Sequence, residues 1–137
     1  MPRRNTVNLT SNQQLNLMSK AMSGDMVMVV SPATVVGVAA TGAWTRKVSI
    51  YIKSAAGDIH QWLNAAYTTT ASVGDTSTAG TATIGSTTLT IVGGVASVVV
   101  TGSAHAWLAT ETDTLTIGNI TVLGKTVTGG TSVETFA

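Results

Sequence analysis

The stretch Thr87-Thr88-Leu89-Thr90-Ile91-Val92-Gly93-Gly94-Val95-Ala96-Ser97-Val98-Val99-Val100-Thr101 decides the fold. Two runs rich in β-branched residues flank a Gly-Gly pair, and a two-residue hairpin turn that needs positive φ at both central positions suits two glycines. That turn sets the register. Leu89 then faces Val98 and Ile91 faces Ala96 on one side, while Thr90 faces Ser97 and Thr88 faces Val99 on the other. One side is apolar and the other mostly hydroxyl, the mark of a strand pair with one wet face.

Working outward, the same period of two recurs. Over Arg46 to Lys53, Val48, Ile50 and Ile52 alternate with Lys47, Ser49, Tyr51 and Lys53. Ala56-Gly57-Asp58 follows as a tight connection to Ile59–Leu63, which predicts a second hairpin. Short strands are predicted near 68–73 and 80–84, with a loop around Asp75, then at 113–117 and 120–123, with a last strand within 125–136. Thr88–Ile91 and Thr114–Ile117 both read Thr-Leu-Thr-Ile, but no second landmark repeats around them, so they are two similar strands rather than a repeat. The uncharged stretch Met26–Ala43 is broken by Ser31, Pro32, Gly37 and Gly42, which fits two buried strands better than a membrane-spanning helix.

Upstream the pattern changes. Met1–Asn8 is polar and basic without periodicity, and reads as an arm. Ser11 and Gln14 have capping-box spacing; Leu15, Met18 and Met22 follow at helical spacing, Lys20 suits a last turn and Gly24 a stop. One short helix near 12–22 is predicted, with an apolar face too narrow to stand alone in water. The expected organisation is an arm and helix over 1–30 and a β-domain over 31–137. Arg3 and Arg4 do not start an export signal, because polar residues rather than an apolar run follow them.

Composition bounds function. The chain has 137 residues, 44% of them apolar and only 9% charged, against roughly 25% charged in ordinary soluble domains. A net charge of +1 argues against a nucleic-acid binder with a broad basic surface. The absence of cysteine excludes disulfides, thiolate metal sites and a thiol nucleophile. Asp58 and His60 are two apart, but no third ligand stands near them in sequence. No Gly-x-Ser-x-Gly elbow or phosphate loop is present, and Glu111 with Asp113 reads as a solvated strand entrance rather than a catalytic pair. No catalytic residue, metal ligand set or cofactor is expected. Trp44, Trp62 and Trp107 are the large fillers available to a small core; exposed, they would instead be platforms for sugar rings. Asn8-Leu9-Thr10 and Asn119-Ile120-Thr121 match the glycosylation acceptor pattern, which matters only in a secreted eukaryotic chain.

Gly80-Thr-Ala-Thr-Ile, Thr88-Leu-Thr-Ile, Gly94-Val-Ala-Ser-Val, Trp107-Leu-Ala and Asp113-Thr-Leu-Thr-Ile together resemble the second half of bacterial and phage immunoglobulin-like domains. Thr45-Arg-Lys-Val-Ser-Ile-Tyr-Ile-Lys with Ala56-Gly-Asp-Ile-His-Gln-Trp-Leu-Asn resembles the first half of the versions in tailed-phage virion proteins. The resemblance covers about 44–118; the Asn usual before the turn glycine is Gly93 here. It implies an all-β, immunoglobulin-like antiparallel sandwich and a non-enzymatic role on a phage particle, as capsid decoration, cement or a tail-associated domain. Expected partners are the major capsid protein or another virion protein and further copies of the chain, with neither nucleic acid nor membrane, and the expected location is the virion, after synthesis in the bacterial cytoplasm. Arg3, Arg4, Leu15, Met18 and Met22 are the expected assembly contacts. The alternative is a carbohydrate-binding or adhesive module using Trp62 or Trp107, and an enzyme stands third.

Overall fold

A computed structural model describes residues 26–37, 42–53, 66–105, 107–122 and 124–136. The helix expected at 12–22 and the five expected contacts lie outside them, as do Asp58, His60 and Trp62. The described chain is all-β. Its strands are β1 (Val27–Ser31), β2 (Thr34–Gly37), β3 (Trp44–Lys53), β4 (Ala66–Asp75), β5 (Ala82–Ile84), β6 (Thr88–Val92), β7 (Val95–Gly102), β8 (Thr112–Ile117), β9 (Ile120–Val122), β10 (Lys125–Val127) and β11 (Gly130–Phe136). No helix among the described residues is long and apolar enough to cross a membrane.

Hydrogen bonding runs in the order β1-β3-β7-β6-β4-β8-β11-β2, with β5 on β7 and β9 paired to β10. All pairings are antiparallel except β2 on β11. Two separate layers were expected; one continuous path is found, because β4 pairs β6 through Ala66–Thr70 and β8 through Ala71–Asp75. The two ends of that path, β1 and β2, are consecutive in sequence and joined through a cis Ser31–Pro32 bond. The sheet is therefore nearly closed, like a barrel. β1 belongs to it, so the described part of the sheet includes Val27–Val30, the last residues of the segment read as arm and helix.

Gly93 and Gly94 have φ of 62° and 77°, and Val92 pairs Val95 as the turn requires. The predicted faces hold: Leu89 and Ile91 are buried and Thr88 and Thr90 exposed. Pairing does not continue beyond Val92–Val95, however, because β6 lies along β4 while β5 takes the far end of β7. β1 and β7 occupy the two edges of β3, and the Ile52 amide donates to the Gly94 carbonyl at 2.8 Å; residues 59–63, the other strand of the hairpin predicted with β3, lie outside the described residues. Asp75 closes the β4–β5 turn by accepting from the amides of Ser77 (3.2 Å) and Ala82 (2.9 Å). The single last strand expected in 125–136 is divided into β10 and β11.

Candidate functional sites: an inner charge cluster and an outer apolar face

The inward positions of β3 read Trp44, Arg46, Val48, Ile50, Ile52. From the aliphatic middle towards one end, the interior therefore changes to a charged layer and then to an aromatic plug. The plug is Trp44, Trp107 and Phe136, with ring centroids 5.1–5.7 Å apart. Glycines make room for it: a Cβ at Gly102 would run into the Trp44 indole, and one at Gly80 into Trp107. Trp107 is 0% exposed and its indole N–H donates to the Ser103 carbonyl at 3.2 Å. It thus has the core role weighed for it, and its part in the sugar-binding alternative is corrected: a ring with no open face cannot receive a pyranose. Trp62, the other candidate, lies outside the described residues.

The charged layer centres on Arg46, which reaches from β3 across to β8 and β11. Its Nη2 and Nε donate to Asp113 Oδ1 at 2.5 and 3.1 Å, and its Nη1 to Ser132 Oγ at 2.8 Å. Nη2 also donates to the Ser132 carbonyl at 3.2 Å, and Nε lies 3.5 Å from Glu134 Oε1. Ser132 Oγ in turn donates to the Pro32 carbonyl at 2.5 Å, between β1 and β2. Burial and the neighbouring Asp113 push the Glu134 carboxyl up to about 7, against the opposing pull of Arg46. Glu111 is buried too, accepting from the Leu108 amide at 3.0 Å with His105 Nε2 at 3.6 Å. The Ser77 hydroxyl, the Leu108 amide and His105 hold its carboxyl below the ordinary range. The solvated strand entrance expected of Glu111 and Asp113 is therefore wrong: both point inward.

Sequence reasoning missed this cluster although a signal was present. Arg46 has the parity of Val48 and Ile50, Asp113 that of Leu115 and Ile117, and Glu134 that of Phe136. A charge at inward parity on three strands is a sign of mutual pairing. Among the described residues no group of three His, Asp or Glu side chains is placed to hold a metal ion.

The outer face of β1, β3, β7 and the end of β6 is different in kind. Register aligns Val29, Tyr51, Val95 and Val92 in one row and Ser31, Ser49 and Ser97 in the next; Val27 lies opposite Lys53, and Lys47 opposite Val99. Val27, Val92, Val95 and Val99 are 48–54% exposed, which puts on this face four of the six large exposed hydrophobic residues among the described ones. The Lys53 ammonium lies 5.1 Å from the Tyr51 ring centroid. Shallow concavities run along Ser49, Tyr51, Val95 and Ser97, and between β6 and β7 where pairing stops. No protein-family model matches the chain, and no curated protein matches it.

Proposed function

We propose that this protein is a non-enzymatic structural component of a tailed-phage particle, a capsid decoration or cement protein whose β-domain is an immunoglobulin-like sandwich. The strand order supports the sandwich reading. β1-β3-β7-β6 on one side and β4-β8-β11 on the other follow the two-sheet order of immunoglobulin domains, with the first strand of the fold split into β1 and β2. The observation that carries the docking role is the outer face, where Val29, Tyr51, Val95 and Val92 form an apolar row bordered by a row of serines, on a chain with few charges. β1 forms the edge of that face, and the expected contacts Arg3, Arg4, Leu15, Met18 and Met22 precede it in sequence; in this reading arm and face act on one partner. Lys47 and Lys53 on the face favour a capsid or other virion surface that carries carboxylates. Further copies of the chain bound to neighbouring capsid subunits account for the expected oligomer.

The test is co-sedimentation of the purified chain with shells of a major capsid protein lacking decoration. Saturable binding is expected, weakened at least tenfold by Val95→Asp with Val99→Asp, both outward-facing and compatible with folding. Absence of binding, together with a rise in melting temperature on adding one glycan, would overturn this reading in favour of carbohydrate recognition.

A further inference from the structure

Asp113 on β8 and Glu134 on β11 are directly opposite one another in register, buried on the same side of the sheet. One guanidinium serves both. Arg46 spends two of its N–H groups on Asp113 Oδ1, leaving Asp113 Oδ2 and Glu134 Oε1 buried without a hydrogen-bond partner. Two carboxylates facing one cation in a dry layer leave a net negative charge there, whereas a single proton placed between them removes that charge and turns one carboxyl into a donor.

The cluster also touches one end of the sheet. Glu134 pairs with Val35 of β2, and its Oε2 lies against Gly37, where a Cβ would have no room. Arg46 holds Ser132, whose hydroxyl is bonded to the Pro32 carbonyl just before β2. β2 has only four residues, forms the end of the sheet and exposes Val36. β8, on the other side of Glu134, is held by both β4 and β11. An ionised Glu134 seeking water is therefore hydrated most easily by displacing β2.

We propose that Asp113 and Glu134 form a proton-operated latch: with one proton between them β2 stays on β11, and when the proton leaves, β2 is released. The other charged groups nearby do not compete for the role. Asp75 of β4, opposite Asp113, is committed to the amides of Ser77 and Ala82. Glu111 and His105 pair with one another, and Lys47 projects from the outer face. β2 itself carries no titratable residue, and the neighbours of Glu134 at the inward positions of β11 are Ser132 and Phe136.

The sign follows from the two carboxyl states. A Glu freed from this site ionises near 4.5, and in place near 7. Between those values the latched form keeps a proton that the released form has lost, so the latch is tightest below 4.5, weakens as pH rises to about 7, and changes little above.

The experiment is amide hydrogen exchange on the full chain from pH 5 to pH 8, corrected for intrinsic exchange rates. The Val133 amide, bonded to the Ala33 carbonyl at 2.9 Å, is the reporter. The expected result is a loss of protection at β2 and at Val133 on the order of 10–100-fold, with β3 and β7 unchanged, and a flat profile in Glu134→Gln, whose amide stands in for the protonated acid. An unchanged profile in Glu134→Gln, or equal loss across all strands, overturns the latch. If that variant does not fold, carboxyl-carbon NMR of the natural chain decides. Titration of Glu134 near 7 alongside the loss of β2 protection supports the latch, and titration near 4.5 overturns it.

Discussion

Arg46 shows how a chain with few charges uses one of them. Its side chain is a crosslink between β3 and the β8–β11 pair, so its value depends on what remains if it is cut. Arg46→Ala leaves two buried carboxyls without a cation and is expected to cost about 3–5 kcal/mol, read as a lowered urea midpoint with unchanged slope. Replacing the whole set, Arg46→Met with Asp113→Leu and Glu134→Leu, removes the charges together and is expected to recover most of that loss. If the triple variant is no better than Arg46→Ala, packing of the arginine stem rather than charge governs the site. At the plug, Gly102→Ala drives a methyl into the Trp44 indole and is expected to lower stability by about 1–3 kcal/mol in the same assay.

At the scale of elements, the two Thr-Leu-Thr-Ile segments occupy equivalent places. β6 lies along the first half of β4 and β8 along the second, each with its Leu and Ile turned inward. Leu89→Asp is expected to unfold the domain, with a loss above about 3 kcal/mol, because Leu89 is enclosed. Val98→Asp should cost less, since Val98 borders the gap between β6 and β7 and is only half-buried, and Thr90→Lys should stay within about 0.5 kcal/mol. Circular dichroism melts of the three variants check that order; reversed ranks for Leu89 and Thr90 would mean that the register is slipped. These strands were legible because alternation and the Gly-Gly turn are local. Their partners were not: nothing local tells β4 to divide itself between β6 and β8, or β1 and β2 to sit at opposite ends. The charge cluster escaped for a related reason, since its members come from β3, β8 and β11 and the inward parity of each on its strand does not name its partner.

For the whole molecule, the division of labour between residues 1–24 and the sheet is testable by removal. The described strands begin at Val27, and among the described residues the buried core runs from Val30 to Phe136 with Met26 and Met28 packed against it. Deletion of 1–24 is expected to leave a cooperative β-domain while abolishing shell binding, measured by melting and co-sedimentation; an unfolded product would show that the upstream segment belongs to the core. The parallel pair β2–β11 has a further, mechanical consequence. Tension entering at the start of β2 and leaving at the end of β11 pulls the two strands past each other along their axes. Their bridging hydrogen bonds then resist together, in shear, instead of opening one after another as in a peeled hairpin. A stretching force between the start of β2 and the end of β11 would thus meet a strand pair in the geometry that shares the load.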